Sequence, residues 1–440
     1  MISNQTDLQR IDYRRLFPWV HLFRAFRIAI DPRKLILAGM ALVSLAVGEA
    51  LFSYLPFWEA GSEISQDSSS DRMILIFPWQ EPLGYDVPPL TGSDQALGLN
   101  SFLDAPGTVL LSIASNWQLV LRPVREPLQS TVMLFQGDLS WAGSAVAWTR
   151  LLWLLLVWGL FGGAITRIAA VQFARDQNIG LVPALKFAVS RYLSFVSAPL
   201  VAVGFLGVFW IMCVAAGYFG RIPFVGDVVL GLLWIVPLLL GLVMAIILIG
   251  GVPGWPLMYA TISTEDSDAF DGFSRSYSYV YSRPWHYLWY AVVAMIYGSV
   301  VIFFVITVAS LVSYLAFWAV SAGGGFKEIV TIPEDVPTFI TWMKKGSSAN
   351  SVGELLSLLW MQLWAVLVHG FVYSYFWTSV TIMYFLLRQS EDAVELDVVS
   401  LPEDSLSQSE LPLVGVAASD QPVVERPAKS EEEQKGERDA

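Results

Sequence analysis

The sequence has little material for a catalytic or metal centre. Its 440 residues include one cysteine, Cys213, and three histidines that lie far apart in the chain. A single thiol excludes an intrachain disulfide, and a Cys/His zinc site lacks ligands. Motifs for phosphate-binding loops, serine hydrolases, zinc proteases and redox dithiols are absent from the sequence. We therefore predict no catalytic residues, no metal and no cofactor.

Charged residues are also scarce, and their distribution argues against nucleic acid as a partner. They make up 15% of the chain, against roughly a quarter in soluble domains, while 55% of the residues are hydrophobic. The formal net charge is −12, yet residues 391–440 alone hold 14 acids and 4 bases. Such a block is typical of a disordered tail. The near-neutral remainder offers no basic stripe that could meet phosphates.

Long apolar blocks are what the sequence has in excess. A helix crosses the hydrocarbon core of a bilayer with about 20 apolar residues. The fifth block is predicted to be one span with a glycine-rich exit, because no turn signal interrupts it before Ser321. Pro237 is predicted to kink the fourth span at its middle. The predicted fold is an all-α polytopic transmembrane helix bundle of about six spans, with in-plane amphipathic helices. The six blocks are 35–57, 145–166, 193–219, 228–250, 287–326 and 355–387.

Lysine and arginine near the span ends predict the orientation. They are denser before span 1, between spans 2 and 3, between spans 4 and 5 and after span 6 than on the opposite side. Positive residues favour the cytoplasmic side, so both termini are predicted to be cytoplasmic. The predicted domain plan is a cytoplasmic segment with an amphipathic helix (1–34), span 1 (35–57), an external loop (58–144), spans 2–4 with a cytoplasmic amphipathic hairpin (145–250), a cytoplasmic loop (251–286), spans 5–6 with an external loop (287–387) and a disordered acidic cytoplasmic tail (388–440).

Segments outside the spans carry further patterns. Residues 17–30 place aromatic and aliphatic side chains on one helical stripe with arginines beside it, which predicts an in-plane helix on an anionic leaflet. Residues 108–121 are too short to span and predict an interfacial or re-entrant helix. Spans 2–3 and spans 4–5 each enclose an amphipathic segment. That order fits an internal repeat of the kind found in transporters, or two plain helical hairpins.

Two ionisable residues inside the predicted spans are candidates for a ligand or proton pathway. A carboxylate such as Glu49 is costly in a span and often marks a pathway, but Glu49 is also placed to reach the external interface. His369 could relay protons, or it could donate a hydrogen bond across a helix interface. Both interpretations of each residue remain open at this point.

Other polar and small residues have equally plain alternatives. Arg167 and Arg175 are candidates for contacts with lipid headgroups or anions or for setting the topology, and Arg167 could also form an ion pair with Asp176 or another acid. Gly159 and Gly163 form a G-x-x-x-G pattern that predicts close helix packing. The acidic run at 265–271 lacks the spacing of a calcium loop, and we predict that Thr264 or Ser267 caps a helix there.

Parts of the chain resemble a known group of sequences. The runs IDPRKL at 30–35, FGGAITRIAA at 161–170 and APL at 198–200 resemble uncharacterised multi-pass membrane proteins of planctomycete-type bacteria. That resemblance covers most of residues 17–390 and implies a bacterial inner (cytoplasmic) membrane. A fainter similarity joins 268–276 to membrane domains associated with glycerophosphodiester phosphodiesterases, without a counterpart of their catalytic domain.

These patterns favour a non-enzymatic membrane organiser or accessory subunit. Its expected partners are the lipid bilayer and a cytoplasmic protein that binds the acidic tail, and the sequence leaves the oligomeric state open. The alternatives are a transporter or channel component for a small solute or lipid and, less favoured, a lipid-acting membrane enzyme.

Overall fold

The computed structural model describes residues 17–58, 106–135, 140–223, 225–323 and 352–400, and in these ranges the chain is helical without strands. The predicted all-α fold is confirmed. A 3-10 helix (Pro18–Phe23) leads into twelve α-helices within the described ranges. They are α1 (Arg24–Ala29), α2 (Pro32–Phe52), α3 (Pro106–Ser115), α4 (Trp117–Leu134), α5 (Trp141–Arg175), α6 (Leu181–Ser190), α7 (Tyr192–Gly220), α8 (Val225–Leu232), α9 (Ile235–Glu265), α10 (Ala269–Ser282), α11 (Pro284–Ala322) and α12 (Val352–Asp392).

Six of these helices are long and apolar enough to cross a membrane: α2, α5, α7, α9, α11 and α12. The chain is therefore a multi-pass membrane protein. The predicted single fifth span is one continuous helix, α11, which ends just before Gly323. Helices α5 and α12 contain 35 and 41 residues, well beyond the roughly 20 that a bilayer core requires, so they extend past it.

Three of the spanning helices form the centre of the bundle. Helices α5, α9 and α12 contact one another, α2 packs against α5 and α12, α7 packs against α5 and α9, and α11 packs against α12. We call the end of the bundle at which α5, α9 and α12 finish the near end. Burial increases toward it: α9 has exposed leucine and isoleucine side chains over 238–249, whereas 254–264 are buried.

The three central helices end in the same way. Asp176, Asp266 and Ala393 follow α5, α9 and α12, and they are the non-glycine residues with positive φ in the described ranges, at 51°, 56° and 55°. A left-handed residue stops a helix, and Asp tolerates this conformation better than most residues. The chain turns at these points.

A short helical segment precedes a span three times in the chain. The first is the 3-10 helix with α1 before α2, the second is α6 before α7, and the third is α10 before α11. Each is followed by a span that leaves the near end and by a central helix that returns to it. The same order is therefore found in both segments of the predicted repeat and once more at the N-terminus.

The kink predicted at Pro237 is the clearest error of the sequence analysis. Turns at Leu233 and Trp234 separate α8 from α9, and α9 begins at Ile235, so Pro237 lies in the first turn of a helix rather than in mid-span. The predicted kink at that residue is wrong. The first turn tolerates proline because its N–H groups have no intrahelical acceptor.

Helix α4 lies within the predicted external loop but packs against α5, α11 and α12. Its buried residues Val120, Pro123, Pro127 and Ser130 share one face. The predicted interfacial segment 108–121 is divided at Asn116 between α3 and α4. Most of the rest of that loop, the segment 331–351, and the acidic tail beyond residue 400 lie outside the described residues.

Candidate functional site

Aromatic side chains fill the space between the three central helices. We call Trp158 of α5, Trp255 and Tyr259 of α9, and Trp377 of α12 the aromatic core. Ring centroids are 5.8 Å apart for Trp158 and Trp377, and 4.8 Å apart for Tyr259 and Trp377. Both distances are within the range of favourable aromatic pairs. Gly162 admits Trp377, because a Cβ there would lie 3.1 Å from its ring.

Three ion pairs at the near end follow the repeated order of helices. Arg24 meets Asp176 at 2.7 Å, Arg191 meets Asp266 at 2.7 Å, and Arg283 meets Glu391 at 2.8 Å. Each arginine belongs to, or directly follows, a short helix before a span, and each acid lies at the end of a central helix. All three pairs are partly exposed, so each adds little stability. Their common placement supports a three-part repeat, in which a short helical segment, a span and a returning central helix follow one another three times.

A more buried charge cluster joins α9, α10 and α12. The carboxylate of Glu265 is 11% exposed and lies 2.5 Å from Arg275 and 3.3 Å from Arg388, whose side chain is 10% exposed. The hydroxyl of Tyr384 donates a hydrogen bond to the same carboxylate at 2.5 Å. One buried acid therefore compensates two arginines that come from different helices.

Lys34 is a second buried ionisable group at the near end. Its side chain is fully buried, and Nζ donates to Oε1 of Gln172 at 2.9 Å. The amide of Gln172 in turn donates to Asp31 and, at 3.0 Å, to Asn178. The sequence places Lys34 among the basic residues that set topology. The structure shows that it also fixes α2 to α5.

Glu126 is a partly buried acid, 29% exposed, that the sequence analysis did not single out. Tyr373 of α12 donates to Oε1 of Glu126 at 2.9 Å, and Arg122 lies 3.3 Å from the same oxygen. Burial raises the pKa of Glu126, and the hydrogen bond and the arginine oppose that shift. The i,i+4 spacing of Arg122 and Glu126 was visible in the sequence. The inward packing of α4 was not.

The two predicted pathway residues have separate surroundings. Glu49 forms an ion pair with Arg150 at 3.2 Å, with side chains 46% and 29% exposed. Arg150 also lies over the ring of Trp58, 4.9 Å from its centroid. Nδ1 of His369 is 2.8 Å from the carbonyl of Ala365 in the same helix. Glu49 thus has a partner within the bundle that the sequence did not reveal.

The predicted anion contacts, Arg167 and Arg175, lie near the end of α5. Arg167 is buried, donates to the carbonyl of Ser263 at 2.6 Å, and lies over the ring of Phe187. The hydroxyl of Thr166 bonds to that of Ser263 at 2.5 Å. Arg175 is the last residue of α5 and is half-buried. Arg167 therefore joins α5 to α9, and Asp176 pairs with Arg24.

The glycine pattern lies where α5 meets α7. A Cβ at Gly159 would lie 2.8 Å from Val196, and one at Gly163 would lie 2.7 Å from the ring of Phe195. The close packing predicted for these glycines occurs within the chain.

The acidic run at 265–271 serves the local structure. Asp268, and neither Thr264 nor Ser267, caps α10 by accepting from the backbone N–H of Asp271 at 2.8 Å, so the predicted cap is wrong. Asp268 follows the turn at Asp266, and its extended backbone suits an N-cap position. No group of three or more metal-ligating side chains occurs among the described residues.

Comparison with known proteins gives no match, so a function has to be argued from the geometry of the described helices. No family model, no curated protein and no solved structure matches the chain.

Proposed function

We propose that the chain is a non-enzymatic organiser or accessory subunit of a bacterial inner membrane. The aromatic core carries this proposal. Trp158 and Trp377 are fully buried where the three central helices meet, and close-packed rings there favour a fixed support over a passage for solute.

The ties at the near end support the same proposal. The Glu265 cluster joins three helices, and Lys34 and Arg167 add buried hydrogen bonds from α2 to α5 and from α5 to α9. Buried polar groups that are paired hold helices in one arrangement, because each separation would leave a desolvated charge. We assign the near end to the cytoplasm, because the basic residues around the span ends concentrate there.

The proposed partner is a cytoplasmic protein that binds the acidic tail. The full chain is compared, after mild solubilisation, with a chain ending at Ser400 and with a control in which the acids beyond Ser400 are replaced by their amides. The full chain should migrate in native gels as a complex that contains a second protein, and both variants should lose that protein, because the tail's charge recruits it. Protease should remove the tail only from inverted vesicles. A second protein that stays with all three chains, or no second protein with the full chain, would contradict the scaffold proposal, and tail cleavage on intact spheroplasts would contradict the orientation.

A transporter is the second candidate, and Glu126 favours it. A partly buried carboxylate that contacts both Tyr373 and Arg122 inside a membrane protein is the kind of group that proton-coupled transporters use. The three-part repeat is also compatible with a transporter. Flux that depends on Glu126 would select this candidate.

A further inference from the structure

Two ion pairs away from the near end keep part of their surface exposed. Glu49 of α2 pairs with Arg150 of α5 at 3.2 Å, and Arg122 pairs with Glu126 within α4 at 3.3 Å. The four side chains are between 29% and 46% exposed. A charged group at the depth of a span is costly unless a partner or water compensates it. The depth of the two pairs therefore decides what their exposed surface can face.

The two pairs follow one another along the bundle. We call the end of the bundle opposite the near end the far end. On α5, Arg150 lies toward the far end, and the distance from Arg150 to Trp158 of the aromatic core is a rise of about 12 Å at 1.5 Å per residue. Tyr373, which donates to Glu126 at 2.9 Å, stacks on Trp158 with the ring centroids 4.8 Å apart. The Glu126 pair therefore lies closer to the aromatic core than the Glu49 pair does.

Helix α4 crosses the bundle between two spans. Near its start, Val120 packs against α11, because a Cβ at Gly298 would lie 3.1 Å from its side chain. Just after its last residue, the carbonyl of Phe135 accepts from Nε1 of Trp210 of α7 at 3.2 Å. Gly298 and Trp210 lie well inside their helices. Helix α4 therefore lies at the depth of the spans.

The exposed face of α4 is polar. Gln118, Arg125 and Gln129 are exposed, and Arg122 lies on the same side of the helix. Acyl chains offer no hydrogen-bond partners to a guanidinium or an amide. At the depth of the spans this face therefore requires water.

The two carboxylates lie close enough to act on each other. Burial raises the pKa of Glu126, and the negative charge of Glu49 raises it further, whereas Tyr373 and Arg122 oppose the shift. These groups belong to α2, α4 and α12. The other helices that pack against α4 add no further charged group to them among the described residues. The two ion pairs therefore share one polar region.

We propose that a water-filled vestibule opens at the far end, is lined by the two ion pairs and the polar face of α4, and ends at Glu126, which takes up a proton from this water. The aromatic core closes the vestibule on the side of the near end, where the rings of Trp158 and Trp377 pack together. The vestibule is compatible with a scaffold, because it gives protons access to Glu126 from one side and no passage across the bundle.

Cysteine labelling in open membrane fragments, in which the reagent reaches both faces, tests for the water. In a Cys213→Ala background, Gln129→Cys places a thiol on the polar face of α4. Val208→Cys places the control thiol on the apolar side of α7, where Val208 is 55% exposed and lies close to Trp210 in the helix. A charged, membrane-impermeant thiosulfonate should label the first variant about tenfold faster or more, because the reactive thiolate forms in water and not among acyl chains. Equal rates, or no labelling of Gln129→Cys, would overturn the vestibule.

A water-soluble carbodiimide tests the proton, because this reagent modifies protonated carboxyl groups. Labelling of Glu126, mapped by mass spectrometry, should fall as the pH rises. Glu49→Gln should move the midpoint of this curve to lower pH, because the variant lacks the negative charge that favours the protonated form of Glu126. Asp271→Asn, at the near end, is the control and should leave the midpoint unchanged. Absence of labelling at Glu126 at every pH, or a midpoint that Glu49→Gln does not move, would overturn the proton site.

Discussion

Glu265→Gln is expected to lower the free energy of unfolding by about 3 to 5 kcal/mol, the usual effect of removing one partner of a buried ion pair. The substitution leaves Arg388, whose side chain is 10% exposed, without the Glu265 carboxylate that neutralises it. Tyr384 can still donate to the amide oxygen of glutamine. The loss of stability therefore measures the removal of the negative charge and not the removal of this hydrogen bond. Thermal unfolding in detergent, followed by the fluorescence of the 18 tryptophans, measures the change.

Asp271→Asn is the matched control for Glu265→Gln. Asp271 pairs with Arg275 at 2.9 Å across one helical turn, and its side chain is 37% exposed. Exposed i,i+4 pairs contribute about 0.3 to 0.5 kcal/mol, so the control should unfold close to the wild type. Equal unfolding temperatures for the two variants would show that the Glu265 cluster does not hold α9, α10 and α12 together.

Gly163→Val is expected to give the second large effect, a destabilisation of about 1 to 3 kcal/mol or more, as is typical of overpacking. The first added carbon would lie 2.7 Å from the ring of Phe195, which is fully buried and cannot move aside. Gly204→Val in α7 is the control, because a Cβ at Gly204 meets nothing within 4 Å. Thermal unfolding of both variants in the same detergent checks the difference.

The oligomeric state of Gly163→Val separates two roles of the glycine pattern. Gly163 contacts α7 of its own chain. The unfolding temperature of the variant should therefore depend on protein concentration in the same way as that of the wild type. Dissociation of a dimer without a change in unfolding temperature would contradict the intrachain packing.

The spans were predictable because each is an apolar block of sufficient length with at most one Asp, Glu, Lys, Arg or His residue. The exact ends of the spans were not predictable. Helices α5 and α12 are longer than a bilayer core requires and stay buried past it, and their buried residues include Arg167 and Arg388. In a sequence such residues look like basic flanks that set topology. Only the fold shows that Arg388 meets Glu265, which lies more than 100 residues away.

Glu126 and Lys34 were missed for a related reason. The loop between the first two spans is polar enough to suggest an external segment, and nothing local indicates that α4 turns its Glu126 toward Tyr373. Lys34 directly precedes an apolar block and resembles an interfacial anchor, yet Gln172 accepts from it inside the bundle. Long-range polar pairs leave no periodic signal in one sequence.

The repeat explains why the near end is rich in ion pairs. Each short helix turns the chain back into a span, and an arginine there reaches the acid that ends a central helix, as Arg191 reaches Asp266. The arrangement fixes the ends of α5, α9 and α12 around the aromatic core. A fixed core is what a scaffold requires, and a transporter would have to open it.

Ion flux across proteoliposomes tests that difference most directly. Vesicles containing the full chain and a pH-sensitive dye are subjected to proton and potassium gradients, with Glu126→Gln and protein-free vesicles measured in parallel. Because the rings of Trp158 and Trp377 close the centre of the bundle, we expect the wild type, the variant and the empty vesicles to leak at the same rate. Wild-type flux well above the empty vesicles, and lost in Glu126→Gln, would contradict the scaffold and establish transport.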